Sequence, residues 1–197
     1  MFEKSKYKKF ELVNDGIFYK NEYHSFDSVK HLHFVRVITT ERMNFVKVGE
    51  PESAILKIEL SSGEIVKLKF DESTIFIGVN FNKQDEIQNL INLYLDLCKK
   101  TFLYRLESYE KQVEKEGFFI YEKCHFFPQT KIVIKNKEYL TRDNDFLKCP
   151  GYILIKKKNQ TVIDKAKYKW NPPFFETKTD TDVIFFLLGE HFGLKWK

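Results

Sequence analysis

The stretch NKQDEIQNLINLYLDLCKKTFLYRLESYEKQVEKE, from Asn82 to Glu116, decides how the rest of the chain is interpreted. Its apolar residues recur at steps of three and four, which is the spacing of one face of an α-helix. Asn82 suits the N-cap, and no Gly or Pro interrupts the pattern before Gly117. A continuous helix of this length would extend about 50 Å at about 1.5 Å per residue. Such a helix either breaks near Lys99 and Lys100 or connects two bodies. The predicted apolar stripe contains Ile87, Leu90, Ile91, Tyr94, Cys98, Phe102, Leu106, Tyr109 and Val113.

On the N-terminal side of this helix the hydrophobic period is two, which predicts strands. The segment AILKIELSSGEIVKLKF, residues 54–70, alternates apolar and polar side chains on both sides of SSG. It predicts a hairpin with one buried face. Farther upstream, FELVNDGIFYK, residues 10–20, has NDG at its centre, which predicts a second hairpin.

On the C-terminal side the pattern returns to short extended segments, namely FFIYEK, KIVIKNKEYL, GYILIKKK and TVIDKAKYKW. A second helix is predicted to begin near Asp180, with VIFFLLGEHF as its apolar body. Both parts of the chain therefore run strands first and helix last. Residues 15–34 and 116–135 also share Gly, Phe, His and Phe at matching places. These features favour a distant duplication, and the alternative is one larger α+β domain with chance matches between Phe-rich segments.

The composition describes an ordered protein, with 43% hydrophobic, 16% aromatic and 31% charged residues. The cysteines, Cys98, Cys124 and Cys149, are odd in number and lack Cys-x-x-Cys spacing, which predicts free thiols in a reducing compartment. The longest apolar run, residues 183–189, is far shorter than the ~20 residues that span a bilayer. The N-terminal lysines are followed by no apolar segment of the secretory type. We therefore expect a cytoplasmic protein.

Two segments carry a family resemblance. GIFYKNEYHSFDSVKHLHFVRV, followed by the alternating hairpin and the amphipathic helix, resembles the pleckstrin-homology-like superfamily, in particular its bacterial and GRAM-type members. Phe26, Asp27, Ser28 and Val29 match a family pattern of Tyr or Phe, Asp, any residue, then Val or Ile. The resemblance covers roughly residues 10–105. It implies an α+β fold in which an antiparallel, partly open β-barrel is closed by a C-terminal helix.

The resemblance and the repeat together predict three regions. Residues 1–105 would form the barrel domain with its capping helix, residues 106–116 a helical connector, and residues 117–197 a smaller basic domain that is a divergent copy. The family implies a non-enzymatic binding module. Phosphoinositide-binding relatives place several basic residues in and after the first hairpin, whereas here Lys20, Lys30 and Arg36 are mixed with acidic residues. A protein partner or self-association is therefore favoured over binding to a membrane surface.

The helix supplies the predicted partner-binding residues, since its later half projects beyond the part needed to close the first domain. These are Phe102, Leu106, Tyr109 and Val113.

The net charge of +5 lies mainly in the last third of the chain, where lysines alternate with aromatic residues. Such a surface suits the phosphates and bases of a nucleic acid, which is the alternative function. Half-buried strands with lysines in water explain the same pattern. The basic-surface residues are Lys156, Lys157, Lys158, Lys167, Lys169 and Trp170.

Catalytic and metal signals in the sequence are weak. His31 and His33 would lie on one face of a strand, a spacing that some metal sites use, with His24 as a candidate third ligand. Cys124 and His125 are adjacent, so a strand points them to opposite faces. Asp180 and Asp182 could be paired carboxylates, but the first turn of a helix favours acidic residues without any catalytic role. We therefore expect no enzyme, no metal and no cofactor.

Overall fold

The computed structural model of the chain describes residues 10–38, 41–43, 46–49, 52–71, 82–121, 124–149, 152–158, 169–170 and 178–196. This part of the chain contains two α-helices and many short strands, so the predicted α+β class is confirmed. The strands are β1 (Phe10–Leu12), β2 (Gly16–Tyr19), β3 (Glu22–Ser25), β4 (Val29–Ile38), β5 (Glu41–Met43), β6 (Val46–Gly49), β7 (Glu52–Leu60), β8 (Ile65–Asp71), β9 (Phe119–Tyr121), β10 (Cys124–Phe127), β11 (Lys131–Ile134), β12 (Lys137–Leu140), β13 (Asn144–Cys149), β14 (Tyr152–Lys157), β15 (Lys169–Trp170), β16 (Lys178–Thr179) and β17 (Lys195–Trp196). The helices are α1 (Asn82–Glu116) and α2 (Thr181–Phe192), and a single 3₁₀ turn spans Phe26–Ser28.

The chain divides into two compact units. Unit 1 comprises Met1–Arg105 and Glu176–Asp180, and unit 2 comprises Leu106–Phe175 and Thr181–Lys197. Helix α1 is one continuous element of 35 residues, so of the two alternatives the break near Lys99 and Lys100 does not occur. Among the described helices, none combines the length and the hydrophobicity that crossing a membrane requires.

Unit 1 packs α1 against an antiparallel sheet of order β16-β4-β7-β8. The predicted hairpin is confirmed as β7 and β8, which pair in antiparallel register with Leu56 opposite Leu68. Alternate residues of β7 are buried, as the period of two requires. Phe34 of β4 stacks on Tyr94 of α1 with ring centroids 4.9 Å apart. Each fully buried aliphatic side chain of this core stabilises the fold by about 1.5–3 kcal/mol.

The predicted barrel is wrong. The described strands form five separate sheets, and none of them closes on itself. In unit 1 the three-stranded sheet β1-β2-β3 and the pair β5-β6 are distinct from the main sheet. The error has a physical cause: alternation requires one buried face per strand, and an open sheet covered by a helix buries that face as well as a closed barrel does.

Unit 2 contains the sheets β12-β11-β10-β9 and β15-β14-β13-β17. Its core is aromatic, with Phe119 of β9 stacked on Phe126 of β10 at 4.9 Å. Phe192 of α2 contacts Phe126 edge to face at 6.0 Å and Phe146 of β13 at 5.9 Å. The second helix predicted near Asp180 is confirmed as α2. Strands β13 and β17, which pair in parallel, were not predicted.

The two matching stretches of sequence both fold locally as hairpins, β2 with β3 and β9 with β10. Beyond them the sheets of the two units differ in strand order and size among the described residues. The predicted repetition of one barrel in both parts is therefore wrong, although the matched segments share a local form. The domain boundaries stay a prediction.

Candidate functional site

A buried ion pair lies in unit 1, where Arg105 of α1 meets Asp180, the residue between β16 and α2. Neither side chain is exposed to solvent. The guanidinium Nη1 donates to Oδ1 of Asp180 at 2.9 Å. Charged side chains are almost never fully buried unless they are paired. With Thr101 and His31, these residues form what we call the Asp180 cluster.

Helix α1 orients the guanidinium of Arg105. Its Nε donates to Oγ1 of Thr101, one turn earlier, at 3.0 Å, and Nη2 donates to the carbonyl oxygen of Cys98 at 3.0 Å. The Thr101 hydroxyl in turn donates to the carbonyl of Leu97 at 2.7 Å. All three nitrogens of Arg105 therefore donate to fixed oxygens, which reduces the cost of burying the charge.

Strand β4 holds the carboxylate of Asp180. Oδ1 accepts from the backbone N–H of Leu32 at 2.9 Å, and Oδ2 accepts from Nδ1 of His31 at 2.6 Å. The backbone N–H of Asp180 donates to the carbonyl of Leu32 at 2.9 Å. Asp180 has φ of +44°, a left-handed conformation in which Asp is among the tolerated residues. The chain therefore turns sharply at Asp180 and directs its carboxylate into unit 1.

The surroundings of Asp180 shift its pKa in opposing directions. Burial raises the pKa, because it disfavours the charged form. The hydrogen bond from His31, the charges of Arg105 and His31 and the N–H of Leu32 all lower the pKa and together outweigh burial. The net pKa is lowered from the ordinary value of 3.8, so Asp180 is ionised at neutral pH.

The His-x-His pair on β4 contacts the C-terminal segment. His31 bonds to Asp180, and Nδ1 of His33 lies 2.7 Å from Oγ1 of Thr179 on β16. A carboxylate only accepts hydrogen bonds, so the proton between His31 and Asp180 resides on Nδ1 of His31. Nδ1 of His31 therefore contacts Asp180, and Nδ1 of His33 contacts Thr179. Both contacts hold the segment of β16 and Asp180 against β4. The spacing of His31 and His33 thus serves the contact of this segment with β4.

We interpret the Asp180 cluster as structural. A carboxylate that orients an imidazole also occurs in catalytic triads. Here, however, the same carboxylate is paired with Arg105, and both charged groups have no exposed surface that a substrate could reach. The cluster locks β16 and α1 onto β4.

A second group, the His24 cluster, consists of Glu22 and His24 on β3 and Glu64 in the turn before β8. One ligand atom from each residue lies within 4.8 Å of the others. Nε2 of His24 is 4.0 Å from Oε2 of Glu64. This nitrogen is buried, and it finds no hydrogen-bond partner among the described residues. Sequence reasoning named His24 but missed both glutamates; Glu64 in particular lies 40 residues farther along the chain.

Gly16 on β2 permits the close packing beside His24. A Cβ at this position would lie 2.3 Å from the carbonyl oxygen of His24 and 2.8 Å from the ring of Tyr23. Real Cβ atoms do not approach backbone atoms so closely, so the hairpin would have to move. Glycine is required here by space, not by an unusual backbone angle.

The Gly16→Ala variant is expected to lower the free energy of unfolding by about 1–3 kcal/mol, the usual range for an overpacked site. Urea unfolding of the full chain measures this change. Gly189→Ala is the matched control, because Gly189 lies within α2 and an added Cβ meets nothing within 4 Å. That control is expected to raise stability by about 0.4–1 kcal/mol. A neutral or stabilising Gly16→Ala would contradict the packing described for β2.

Two of the four predicted partner-binding residues, Leu106 and Tyr109, are buried within unit 2. Leu106 and Tyr109 are 8% and 5% exposed, and Tyr109 meets Phe119 edge to face at 5.8 Å. Phe102 and Val113 are half-buried. A role for these four residues in partner binding stays a prediction, but exposed side chains elsewhere on α1 are better placed for it.

The predicted basic surface is described in part. Lys157 and Lys158 are exposed at the end of β14, and Lys156 is half-buried. Lys169 and Trp170 form β15, which pairs with β14, and their side chains lie outside the described part. Lys167 also lies outside the described residues. The nucleic-acid interpretation therefore stays a prediction.

The other candidate residues have ordinary surroundings. Cys98 and Cys124 are buried cysteines. His125 is half-buried and stacks on Phe118 at 5.2 Å. Asp182 lies in the first turn of α2, as predicted from the favourable helix dipole.

Comparison with protein-family models, with curated proteins and with solved structures finds no match for this chain. The resemblance to the pleckstrin-homology-like superfamily accordingly stays a prediction.

Proposed function

We propose that this chain is a non-enzymatic interaction module that pairs with a second copy of itself through the exposed face of α1. The main observation that supports this proposal is the exposure of two leucines on this helix. Leu103 is 74% exposed and Leu95 is 49% exposed. Single exposed leucines are common on protein surfaces. Two on one face of a helix are a better indication of a contact.

The spacing of these leucines supports symmetric pairing. Leu95, Lys99 and Leu103 follow one another at intervals of four residues, so they form one row along the helix, with the leucines about 12 Å apart. A two-fold axis through Lys99 would pair two helices antiparallel. Leu95 of each copy would then lie opposite Leu103 of the other. A contact of this kind is self-complementary, as two-fold interfaces are.

The charges beside the leucines suit the same arrangement. Asp96 and Lys99 are both exposed. In the antiparallel pair, Asp96 of one copy lies within one helical turn of Lys99 of the other. The lysine stem can cover the apolar contact while its ammonium group reaches this carboxylate. The same axis brings the two Lys99 residues opposite each other, so their ammonium groups are expected to turn away from each other toward these carboxylates.

The Leu103→Glu variant is expected to weaken self-association by about tenfold or more, since removing a central apolar contact commonly costs more than 1 kcal/mol. Sedimentation velocity over a series of concentrations measures the change. Ile65→Glu is the matched control, because Ile65 is 55% exposed on β8 and undergoes the same change of charge. We expect it to leave association unaltered.

Two results would contradict the proposal. The first is a wild-type chain that sediments as a monomer at the highest concentration reached. The second is equal weakening by Leu103→Glu and Ile65→Glu, which would place the contact elsewhere. Circular dichroism of each variant checks that it is folded.

A further inference from the structure

We propose that the His24 cluster binds a divalent transition-metal ion, with Zn²⁺ as the best match. Three residues provide one imidazole nitrogen and two carboxylates, which are ordinary zinc ligands. A fourth position would be open to water, as in zinc sites with three protein ligands. This inference does not depend on the proposed self-association.

The spacing of the ligand atoms is close to what a zinc ion requires. Metal–ligand bonds of about 2.0–2.1 Å in a tetrahedron place ligand atoms about 3.3 Å apart. The three atoms here already lie within 4.8 Å of one another. Glu22 is exposed and Glu64 is about one-third exposed, so small rotations of their side chains would close the remaining gap.

The buried nitrogen of His24 is the second observation. Its side chain is 15% exposed, and Nε2 is a buried atom with no hydrogen-bond partner among the described residues. A buried polar atom that makes no hydrogen bond destabilises the fold, because it has lost its hydration without gaining a partner. A metal ion bonded to Nε2 would remove that destabilisation, and Nε2 faces Glu64 where such an ion would lie.

The local fold fixes the positions of the ligands. Glu22 and His24 are two residues apart on β3, so their side chains lie on one face of the strand. The carbonyl of Glu64 accepts from the N–H of Leu60 at 2.9 Å, and its own N–H donates to the Ser62 hydroxyl at 3.3 Å. The turn that presents Glu64 is therefore held by its own hydrogen bonds.

The donor set selects the kind of metal. An imidazole nitrogen suits zinc, copper, nickel and iron, whereas calcium and magnesium prefer oxygen ligands only. Two carboxylates and no thiolate disfavour the softest ions. Among the common divalent ions, zinc accepts a tetrahedral site of one nitrogen and two oxygens most readily.

Isothermal titration of the full chain with Zn²⁺ tests the proposal. We expect one ion per chain for the wild type. Loss of residues that only orient a ligand commonly lowers affinity 10–100-fold, so His24→Gln should lower it by at least about 100-fold. Glu22→Gln should also weaken binding, and because Glu22 is exposed this variant is expected to fold normally. His191→Gln, which changes a histidine of α2, is the matched control and should bind as the wild type does.

Three outcomes would overturn the site: a wild-type chain that binds no Zn²⁺, unchanged affinity in both His24→Gln and Glu22→Gln, or an equal loss in His191→Gln. X-ray absorption of the zinc-loaded chain gives an independent readout. One imidazole and a shell of oxygen ligands would support the site, and two or more imidazoles would assign the ion to another place.

Discussion

Replacing Arg105 by methionine is expected to lower the free energy of unfolding by about 3–5 kcal/mol, the usual cost of removing one partner of a buried ion pair. Methionine fills similar space without a charge, so the packing of α1 is largely kept. Asp180 then retains its hydrogen bonds from His31 and the N–H of Leu32 but loses the nearby cation. Stability is lost because the buried carboxylate of Asp180 no longer has the positive charge of Arg105 beside it.

Urea unfolding followed by circular dichroism measures the effect of Arg105→Met. Lys111→Met is the control, since Lys111 lies on the same helix and pairs with Glu107 at 2.7 Å, but both side chains are well exposed. Exposed pairs add little to stability because water already solvates both charges. If the two substitutions had equal effects, burial would not be what makes the Arg105–Asp180 pair important.

The parts of the fold that could be predicted are those that local pattern determines. The apolar period gave α1 over its full length and the β7–β8 hairpin, because each element buries a face that its own residues define. Sheet closure is not a local property. The same alternating strands suit an open sheet or a barrel, and the choice depends on which edges pair, as β16 does with β4 across the whole chain.

The Asp180 cluster could not be predicted because its partners are distant in sequence. The start of α2 already explains an acidic residue at Asp180, so nothing local pointed to an ion pair. The other partner of the ion pair did carry a signal in the sequence. Thr101 and Arg105 are four residues apart on the buried face of α1. A charged residue among buried positions requires a partner of opposite sign, even though the sequence does not identify it.

Strand β16 and Asp180 come from the C-terminal part of the chain but belong to unit 1. They do so because β16 pairs with β4 and Asp180 contacts Arg105 of α1. The contacts from His31, His33 and Arg105 therefore act on a segment that its strand pairing with β4 also holds. These hydrogen bonds and the ion pair add to that strand pairing.

The Asp180→Asn variant is accordingly expected to lower the free energy of unfolding by about 3–5 kcal/mol at neutral pH, because the buried Arg105 loses its counter-charge. Asparagine has nearly the same shape and tolerates the left-handed backbone of this residue. The variant therefore tests the charge more than the geometry. Its amide oxygen must also replace the acceptor that Nδ1 of His31 uses.

The dependence of stability on pH is the more specific part of this test. The pKa of Asp180 is lowered in the folded state, so its ionised form stabilises the fold above the ordinary carboxyl pKa of 3.8. That contribution is lost as the pH falls from about 3.8 through the lower pKa that Asp180 has in the folded state. Within the described part of the chain, the titratable and charged groups that face Asp180 include His31 from β4 and Arg105 from α1. The stability difference between wild type and Asp180→Asn should thus persist down to about pH 5 and shrink below about pH 4.

Denaturation at a series of pH values measures this difference, with Asp182→Asn as the matched control. Asp182 lies two residues along the chain, in the first turn of α2, where a charge typically contributes about 0.3–1 kcal/mol through the helix dipole. If capping were the main role of Asp180, the two variants would have similar effects at neutral pH. A large loss in Asp180→Asn that fades in acid, beside a small loss in Asp182→Asn, is the result that a buried ion pair requires. A difference that persists unchanged into acid would show that the carboxylate charge is not what stabilises unit 1.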